Sequence, residues 1–235
     1  MRRYTYQLLI FALLLLIAGL ARAAETTATG IPLDTEWKKK VFAYAQAEVQ
    51  HCAWGLAHSE RDYQGALVLA DKEKLDLDRD VLFATAFLHD VGGIGSHQSP
   101  GVDHAVRSAQ IAEPLLKEYG FPMEKFPLVK DMILGHTYYG PLPQRHEALA
   151  FRDADILDFM GQIGVARIVA VSQEIGGDKA NEQLPNMIGL VEKFSKEMPE
   201  KLSLAAAKEL APARVAEMKS FLEGLKPYTL DGKAL

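Results

Sequence analysis

Residues Ala84–Gly95 read ATAFLHDVGGIG, and the rest of the chain is interpreted outward from them. An apolar, helix-forming run ends in an adjacent imidazole and carboxylate, His89 and Asp90, and glycines follow at once. Leu82 and Thr85 have the spacing of one inward helix face, and His89 lies four residues after Thr85. The spacing therefore predicts that the His89 side chain points inward where this helix ends.

A buried histidine beside a buried carboxylate is costly unless each has a partner. A divalent metal ion is one partner that satisfies both. The alternative is structural: His89 bonds a backbone carbonyl at the helix end, and Asp90 caps the next turn. The dipeptide alone leaves both interpretations open.

Helical periodicity dominates the chain after a lead-in at residues 24–34, and no convincing strand alternation is present. The pattern predicts an all-α fold. The expected helices span residues 35–49, 57–73, 78–90, 103–119, 124–136, 146–159, 161–174, 186–198 and 204–224.

Composition limits the class of protein. The 235 residues are 49% hydrophobic and 24% charged, which is enough apolar material for a full core. The formal charge of −5 and the lack of a concentrated basic patch argue against a protein that coats nucleic acid. The single cysteine, Cys52, excludes an internal disulfide, and we expect it to be a small buried hydrophobic residue.

The N-terminus has the pattern of a secretory signal. Arg2 and Arg3 precede an apolar block at Leu8–Leu20, and Ala21 and Ala23 are the small residues that a signal peptidase reads. The block is shorter than the roughly 20 residues of a membrane span. We expect cleavage after residue 23, no stable span afterwards, and a periplasmic or extracellular protein; retention as an anchor is the alternative.

Further polar residues lie at the predicted helix ends or inward faces. They are His58, His104, His136 and Asp155. Together with His89 and Asp90 they form a mixed nitrogen and oxygen set, which suits Zn, Mn, Fe, Ni or Co better than Ca or Mg.

The ordered set His58, His89-Asp90, Asp155 resembles the HD-domain superfamily of metal-dependent phosphohydrolases over about residues 48–173. His58-Ser-Glu-Arg61 is similar to the family's H-x-x-R helix opening. Residues 153–167, DADILDFMGQIGVAR, are similar to a segment of its small nucleotide-hydrolysing members. Ile156 departs from the pattern, because the family commonly has Arg or Lys there, a cation that could help to hold phosphate.

The resemblance implies a compact helical HD domain at residues 48–175. The rest of the chain is then a signal peptide at 1–23, a lead-in and first helix at 24–47, and an amphipathic helical extension at 176–235 packed on the HD domain.

The resemblance also implies the ligands of a divalent ion. His58, His89, Asp90 and Asp155 match the first-metal positions, with Asp155 preferred over Asp153. The positions of His104 and His136 are those where some HD proteins hold a second metal or contact substrate phosphate; surface or capping histidines are the alternative. The remaining histidines, His51, His97 and His146, match nothing in the motif.

Three residues are candidates for catalysis: Asp90, Arg61 and His104. Arg61 lies nearly on the face of His58, so it is either a phosphate clamp or a salt-bridge partner of the site's acids. Two aromatic residues in a loop, Tyr138 and Tyr139, either stack a base or sugar or simply pack.

The function implied by the resemblance is hydrolysis of a phosphate ester or anhydride of a small, nucleotide-like metabolite, with one or two metal ions. Two alternatives stay open. One is an HD-type di-iron oxygenase, which needs both His104 and His136. The other is a catalytically silent, metal-containing binding module.

Overall fold

The computed structural model describes residues 25–171, 183–231 and 233. The chain divides into two compact units, Met1–Thr35 and Glu36–Leu235. In the first unit the described residues make a short turn closed by an isolated antiparallel bridge between Thr26 and Pro32. The expected signal peptide lies outside the described residues.

Within the described ranges the second unit is all-α, which confirms the predicted fold class. Its nine described helices are α1 Glu36–Glu48, α2 Leu56–Glu73, α3 Arg79–Leu88, α4 His104–Tyr119, α5 Phe126–Gly135, α6 His146–Asp158, α7 Gly161–Ala170, α8 Gln183–Lys201 and α9 Ala205–Leu225. Of the helix expected at 161–174, residues 172–174 lie outside the described part.

Side-chain caps fix where two site-bearing helices begin. The Asp78 carboxylate accepts hydrogen bonds from the first backbone N–H groups of α3, and Asp103 does the same for α4. His104 is therefore the first residue of α4. At the other end of α3, His89 caps the helix, and Asp90 follows it immediately before the short 3₁₀ helix Val91–Gly93.

Close packing of α2 on α6 brings two distant parts of the chain together. A Cβ added at Gly65 of α2 would lie 3.2 Å from the Ala154 Cβ of α6, so this position has room for little more than glycine. His58, in the first turn of α2, and Asp155 of α6 therefore lie on facing helices.

A second glycine allows the turn after α3 to touch α4. A Cβ at Gly92 would lie 2.4 Å from Ser108 N and 2.7 Å from His104 O, well inside van der Waals contact. The Gly92 N–H instead donates to Ser108 Oγ at 2.9 Å. This contact holds the end of α3 against the start of α4.

The C-terminal helices α8 and α9 pack on α6 and α7. Asp153 of α6 accepts hydrogen bonds from the backbone N–H groups of Ser203 (2.9 Å) and Leu204 (2.7 Å), and Arg152 donates to Lys201 O at 2.7 Å. The extension is thus bonded to the helix that carries Asp155. Among the described residues, no helix combines the length and apolar character needed to cross a membrane.

Candidate metal centre

The six side chains predicted as metal ligands meet at one place in the helical unit. His58 comes from α2 and Asp155 from α6. His89 and Asp90 follow α3, while His136 follows α5 in the same way and His104 opens α4. Helix ends therefore supply four of the six groups.

The first half of the cluster contains His58 and His89. Their Nε2 atoms are 3.3 Å apart. Asp90 Oδ2 lies 3.2 Å from His89 Nε2 and 3.5 Å from His58 Nε2, and Asp155 Oδ1 lies 3.4 Å from His58 Nε2. Both histidines are 1% exposed, so the two imidazoles are shielded from bulk water.

The second half contains His104 and His136, whose Nε2 atoms are 3.1 Å apart. Asp90 Oδ1 lies 3.4 Å from each of these two atoms. One carboxylate thus faces a different histidine pair with each of its oxygens.

The four histidines are held in the same manner, because each Nδ1 lies beside an oxygen atom outside the cluster. The partners are Asp158 Oδ2 for His58 (2.8 Å), Ala86 O for His89 (3.0 Å), Tyr139 Oη for His104 (3.1 Å) and Ile133 O for His136 (2.6 Å). A proton on Nδ1 leaves the Nε2 lone pair directed at the cluster, as metal-bound histidines require.

The spacing fits metal ions. Two ligand atoms at about 2.1 Å from one ion are roughly 3.0–3.4 Å apart at octahedral or tetrahedral angles. Within each half, neighbouring donor atoms are 3.1–3.5 Å apart, whether the pair is two Nε2 atoms or an Nε2 atom and a carboxylate oxygen. These separations are close to that range. Facing Nε2 lone pairs repel each other unless a cation or a proton lies between them, so the donor set suits one ion in each half.

Burial and neighbouring charges shift the pKa values of the cluster residues in different directions. Burial alone would raise the pKa of Asp90, but the histidines around it hold that pKa well below its usual range. Burial lowers the pKa of His89. Burial also opposes the charged form of His58, yet the carboxylates of Asp62, Asp158 and Asp90 outweigh it and raise the pKa of His58 to about 10.

One carboxylate in the cluster was missed by sequence reasoning. Asp62 is completely buried, and its Oδ2 lies 3.1 Å from His58 Nε2 and 3.7 Å from His89 Nε2. Burial raises the pKa of Asp62 well above its usual range. The available signal was its position four residues after His58, which places both side chains on one face of α2.

Asp158 forms an ion-pair network with Arg61 and Arg167 beside His58. Arg61 donates from Nε and Nη2 to the two Asp158 oxygens at 2.7 and 2.8 Å, which is the salt bridge that was one of its two interpretations. Arg167 Nη1 lies 2.9 Å from Asp158 Oδ2, and its Nη2 lies 3.2 Å from His58 Nε2. Burial opposes ionisation of Asp158, but these donors hold its pKa below the usual range.

The segment that carries this geometry matches a known family. Residues 55–160 match the model described as HD domain. The match contains His58, His89, Asp90 and Asp155. Residues 55–160 are an HD domain.

A bacterial protein is similar in sequence to this HD domain. An uncharacterized protein of Clostridium beijerinckii is 28% identical over 108 residues, which are 44% of this chain and 66% of that protein. The chain therefore covers slightly less than two thirds of that relative's length.

Solved structures share the fold at low identity. A crystal structure from Lactobacillus plantarum is 23% identical, covers 87% of this chain and 98% of its own, and has a TM-score of 0.62. Bacillus subtilis YpgQ, in complex with ADP, is 21% identical, with 81% and 96% covered and a TM-score of 0.56. An HD-superfamily hydrolase from Bacillus thuringiensis is 22% identical, with 82% and 96% covered and a TM-score of 0.58. The HD-domain match and the buried His/Asp cluster together suggest divalent metal binding.

Several residues near the HD-domain motif lie outside the cluster. Asp153 bonds the backbone of the C-terminal extension, as described above, so Asp155 is the acid that reaches the histidines. His97 bonds Glu48 at 2.9 Å, His51 stacks on Trp54, and His146 is exposed. Contrary to expectation, Cys52 is also exposed; its Sγ donates to Ala170 O at 3.3 Å.

A cavity of about 840 Å³ opens beside the cluster of the HD domain. Four cluster residues border it: Asp90, His104, His136 and Asp155. Its walls carry five aromatic residues, namely Trp54, Tyr138, Tyr139, Phe159 and Phe194. Helix α8 supplies Phe194, Leu190 and Lys193, so the extension completes the cavity.

For the aromatic pair in the loop after α5, the structure shows the packing role for Tyr138. Tyr138 packs edge-on against Phe159 and Phe194, at centroid distances of 5.9 and 5.8 Å. Tyr139 is 55% exposed and donates to Asp103 Oδ2 at 2.8 Å. Both tyrosines line the cavity.

Two cationic residues, Arg167 and Lys193, line the cavity, and Arg167 also contacts the cluster at His58 Nε2. Arg61 is not among the residues that line the cavity, whereas Arg167 is, with its guanidinium 4.2 Å from the Phe159 ring centroid. Ile156, which replaces a common cation of the family, is completely buried. Arg167 therefore provides a positive charge close to the cluster.

Proposed function

We propose that the protein hydrolyses a phosphate ester or anhydride of a small, nucleotide-like metabolite with two divalent ions. The observation that carries the proposal is Asp90, which presents one oxygen to His58 and His89 and the other to His104 and His136. A bridging carboxylate between two histidine pairs suits a two-ion site for phosphoryl transfer.

The residues divide into two ligand sets that share Asp90. His58, His89, Asp90 and Asp155 hold the first ion, and His104, His136 and Asp90 hold the second. Mn, Zn, Fe, Ni and Co all accept this mixture of imidazole and carboxylate. Such ions lower the pKa of a coordinated water toward neutrality and offset negative charge on phosphoryl oxygens.

Neighbouring residues orient the ligands and the substrate. Asp158 fixes the His58 ring through Nδ1, and Arg61 acts on catalysis through its salt bridge to Asp158, as a positioning residue. Arg167, held by Asp158 and by Ala53 O at 2.8 Å, lines the cavity and supplies positive charge close to a substrate phosphate bound there. His104, at 30% exposed against 3% for His136, is the more exposed histidine of the second ligand set.

The aromatic cavity walls support a substrate with a flat ring. Aromatic side chains stack on nucleobases regardless of sequence, and the cavity volume is typical of small-molecule sites. The ADP complex of Bacillus subtilis YpgQ supports the same substrate class.

The direct test is a screen of phosphate compounds, including nucleoside mono-, di- and triphosphates, with protein purified without chelator and supplied with Mn, Co, Zn, Fe or Ni. We expect phosphate release that stops on chelation and returns with one of the ions. Asp90→Ala serves as the inactive control. A metal-loaded protein that releases phosphate from no compound would overturn the proposal.

A di-iron oxygenase is the second candidate, and it is favoured by one observation. His104 and His136 both face Asp90, and the oxygenase alternative needs both. Iron content together with substrate-dependent oxygen uptake separates the two functions, because hydrolysis consumes no oxygen. A silent binding module would hold metal without either activity.

We also propose that the protein is exported and acts in the periplasm or outside the cell. The support is the sequence of residues 1–23, with its paired arginines, apolar block and small residues before the expected cleavage point. N-terminal sequencing of protein from fractionated cells tests this. A cytosolic chain that still begins at residue 1 would contradict it.

A further inference from the structure

Asp62 is an unusual buried acid. Its side chain is 0% exposed, and neither Oδ1 nor Oδ2 has a hydrogen-bond partner among the described residues. A buried carboxylate without partners is strongly unfavourable, so one that persists calls for a cation or a proton.

The arginines near Asp62 have other partners. Arg61 donates to both oxygens of Asp158, and Arg167 bonds Asp158 and Ala53 O. Buried Asp153 provides a contrast, because its oxygens accept three hydrogen bonds from the backbone N–H groups of Ser203 and Leu204. Asp62 therefore lacks the hydrogen bonds that stabilise Asp153, a second and equally buried carboxylate in the same unit.

Asp62 faces the first half of the cluster. Its Oδ2 is 3.1 Å from His58 Nε2 and 3.7 Å from His89 Nε2. One ligand atom from each of Asp62, His58, His89 and Asp155 can be chosen so that all four lie within 4.8 Å of one another, and all four residues are buried. An ion between the two imidazoles would lie within reach of the Asp62 carboxylate.

We propose that Asp62 is a further ligand of the first metal ion, in addition to His58, His89, Asp90 and Asp155. The inference rests on the metal-binding part of the proposed function and does not depend on phosphate hydrolysis. Three carboxylates and two imidazoles carry one more negative charge than the motif set alone. Because carboxylate oxygens suit Mn²⁺ and Fe²⁺ better than softer ions, Asp62 biases the site toward those two.

The test compares wild type with Asp62→Val, which has a similar volume and no charge, and with Asp62→Asn, which keeps the shape. Mn²⁺ affinity is measured by titration calorimetry, and the melting temperature is measured with and without MnCl₂. We expect at least tenfold weaker Mn²⁺ binding in both variants. We also expect the metal-free Asp62→Val protein to melt above the metal-free wild type, because a buried acid without hydrogen-bond partners has been removed.

The matched control is Asp153→Asn, which alters a buried carboxylate with backbone partners. It should lower the melting temperature of the metal-free protein and leave Mn²⁺ affinity unchanged. Asp62 variants that bind Mn²⁺ with wild-type affinity and show the wild-type rise in melting temperature would overturn the proposal. Asp62→Asn decides the affinity question if Asp62→Val does not fold.

Failure of the proposed function gives a different result. If wild type binds Mn²⁺ but hydrolyses no phosphate compound, the hydrolase proposal fails while weaker Mn²⁺ binding in the Asp62 variants still supports Asp62 as a ligand. Wild type that binds no divalent ion would overturn both.

Discussion

At the scale of single residues, Asp90 differs from the other carboxylates because its two oxygens face different histidine pairs. His89, its neighbour in sequence, is a member of one of those pairs. Adjacent residues on a regular helix diverge by about 100°, so the pair converges only because α3 ends at Leu88. The dipeptide His89-Asp90 thus lies at a helix end and places both of its side chains in one cluster.

His104→Ala should separate the two halves of the cluster. It removes one imidazole from the second half and leaves His58, His89, Asp90 and Asp155 in place, so we expect the second ion to be lost and the first to stay. Turnover should fall by roughly 100-fold or more, because the second ion no longer offsets negative charge on the phosphoryl oxygens. Metal analysis and steady-state kinetics measure both effects.

The matched control is His97→Ala, which removes a histidine that bonds Glu48 outside the cluster. It should keep both ions and normal turnover. Loss of both ions in His104→Ala, or no loss at all, would contradict two separate ligand sets.

At the scale of helices, the site depends on the close contact between the turn after α3 and the start of α4. Gly92→Ala would place a methyl group against backbone atoms of Ser108 and His104, so the turn must move. We expect a loss of about 1–3 kcal/mol in the free energy of unfolding, as in other overpacked cores. Metal binding should weaken as well, because Asp90 lies two residues before Gly92.

The comparison for this variant is Gly189→Ala in α8, where an added Cβ meets no atom within 4 Å. A helical alanine should leave stability unchanged or raise it by up to about 1 kcal/mol. Urea denaturation measures both variants. Gly92→Ala with wild-type stability and metal content would contradict the close contact.

Helix α3 is also tied to its neighbours by Asp80, which lies 3.0 Å from Lys38 Nζ of α1 and 2.9 Å from Lys125 Nζ just before α5. Burial opposes ionisation of Asp80, but the two lysines lower its pKa below that of an exposed aspartate. A lowered folded-state pKa stabilises the fold above the unfolded-state pKa, and this contribution is lost as the pH falls through the folded-state value.

Asp80→Asn should therefore lower the free energy of unfolding at pH 7 by roughly 0.5–1 kcal/mol. The difference from wild type should shrink below about pH 4, where wild-type Asp80 becomes protonated as well. Denaturation at pH 7 and pH 3 measures it. Asp131→Asn, at an exposed pair with Arg145, should change little at either pH, and an equal loss at both pH values in Asp80→Asn would contradict the account.

At the scale of the whole molecule, helical periodicity was enough to predict the nine described helices, because apolar faces, Asp caps and glycine stops are local signals. The order of His58, His89-Asp90 and Asp155 was enough to predict the HD domain. Asp62 and Arg167 were missed because their roles depend on packing between α2, α6 and α7. Likewise, the contribution of α8 to the cavity follows from tertiary contacts and not from its sequence.

Metal content is the most direct test of whether Asp90 joins two metal sites. Wild type and Asp90→Ala are purified without chelator and compared by elemental analysis, with helical content checked by circular dichroism. We expect two divalent ions per chain in wild type. In Asp90→Ala we expect loss of most of the metal at unchanged helical content. Asp90→Ala that keeps the wild-type metal content and turnover would instead show that His89 and Asp90 are only a structural helix end.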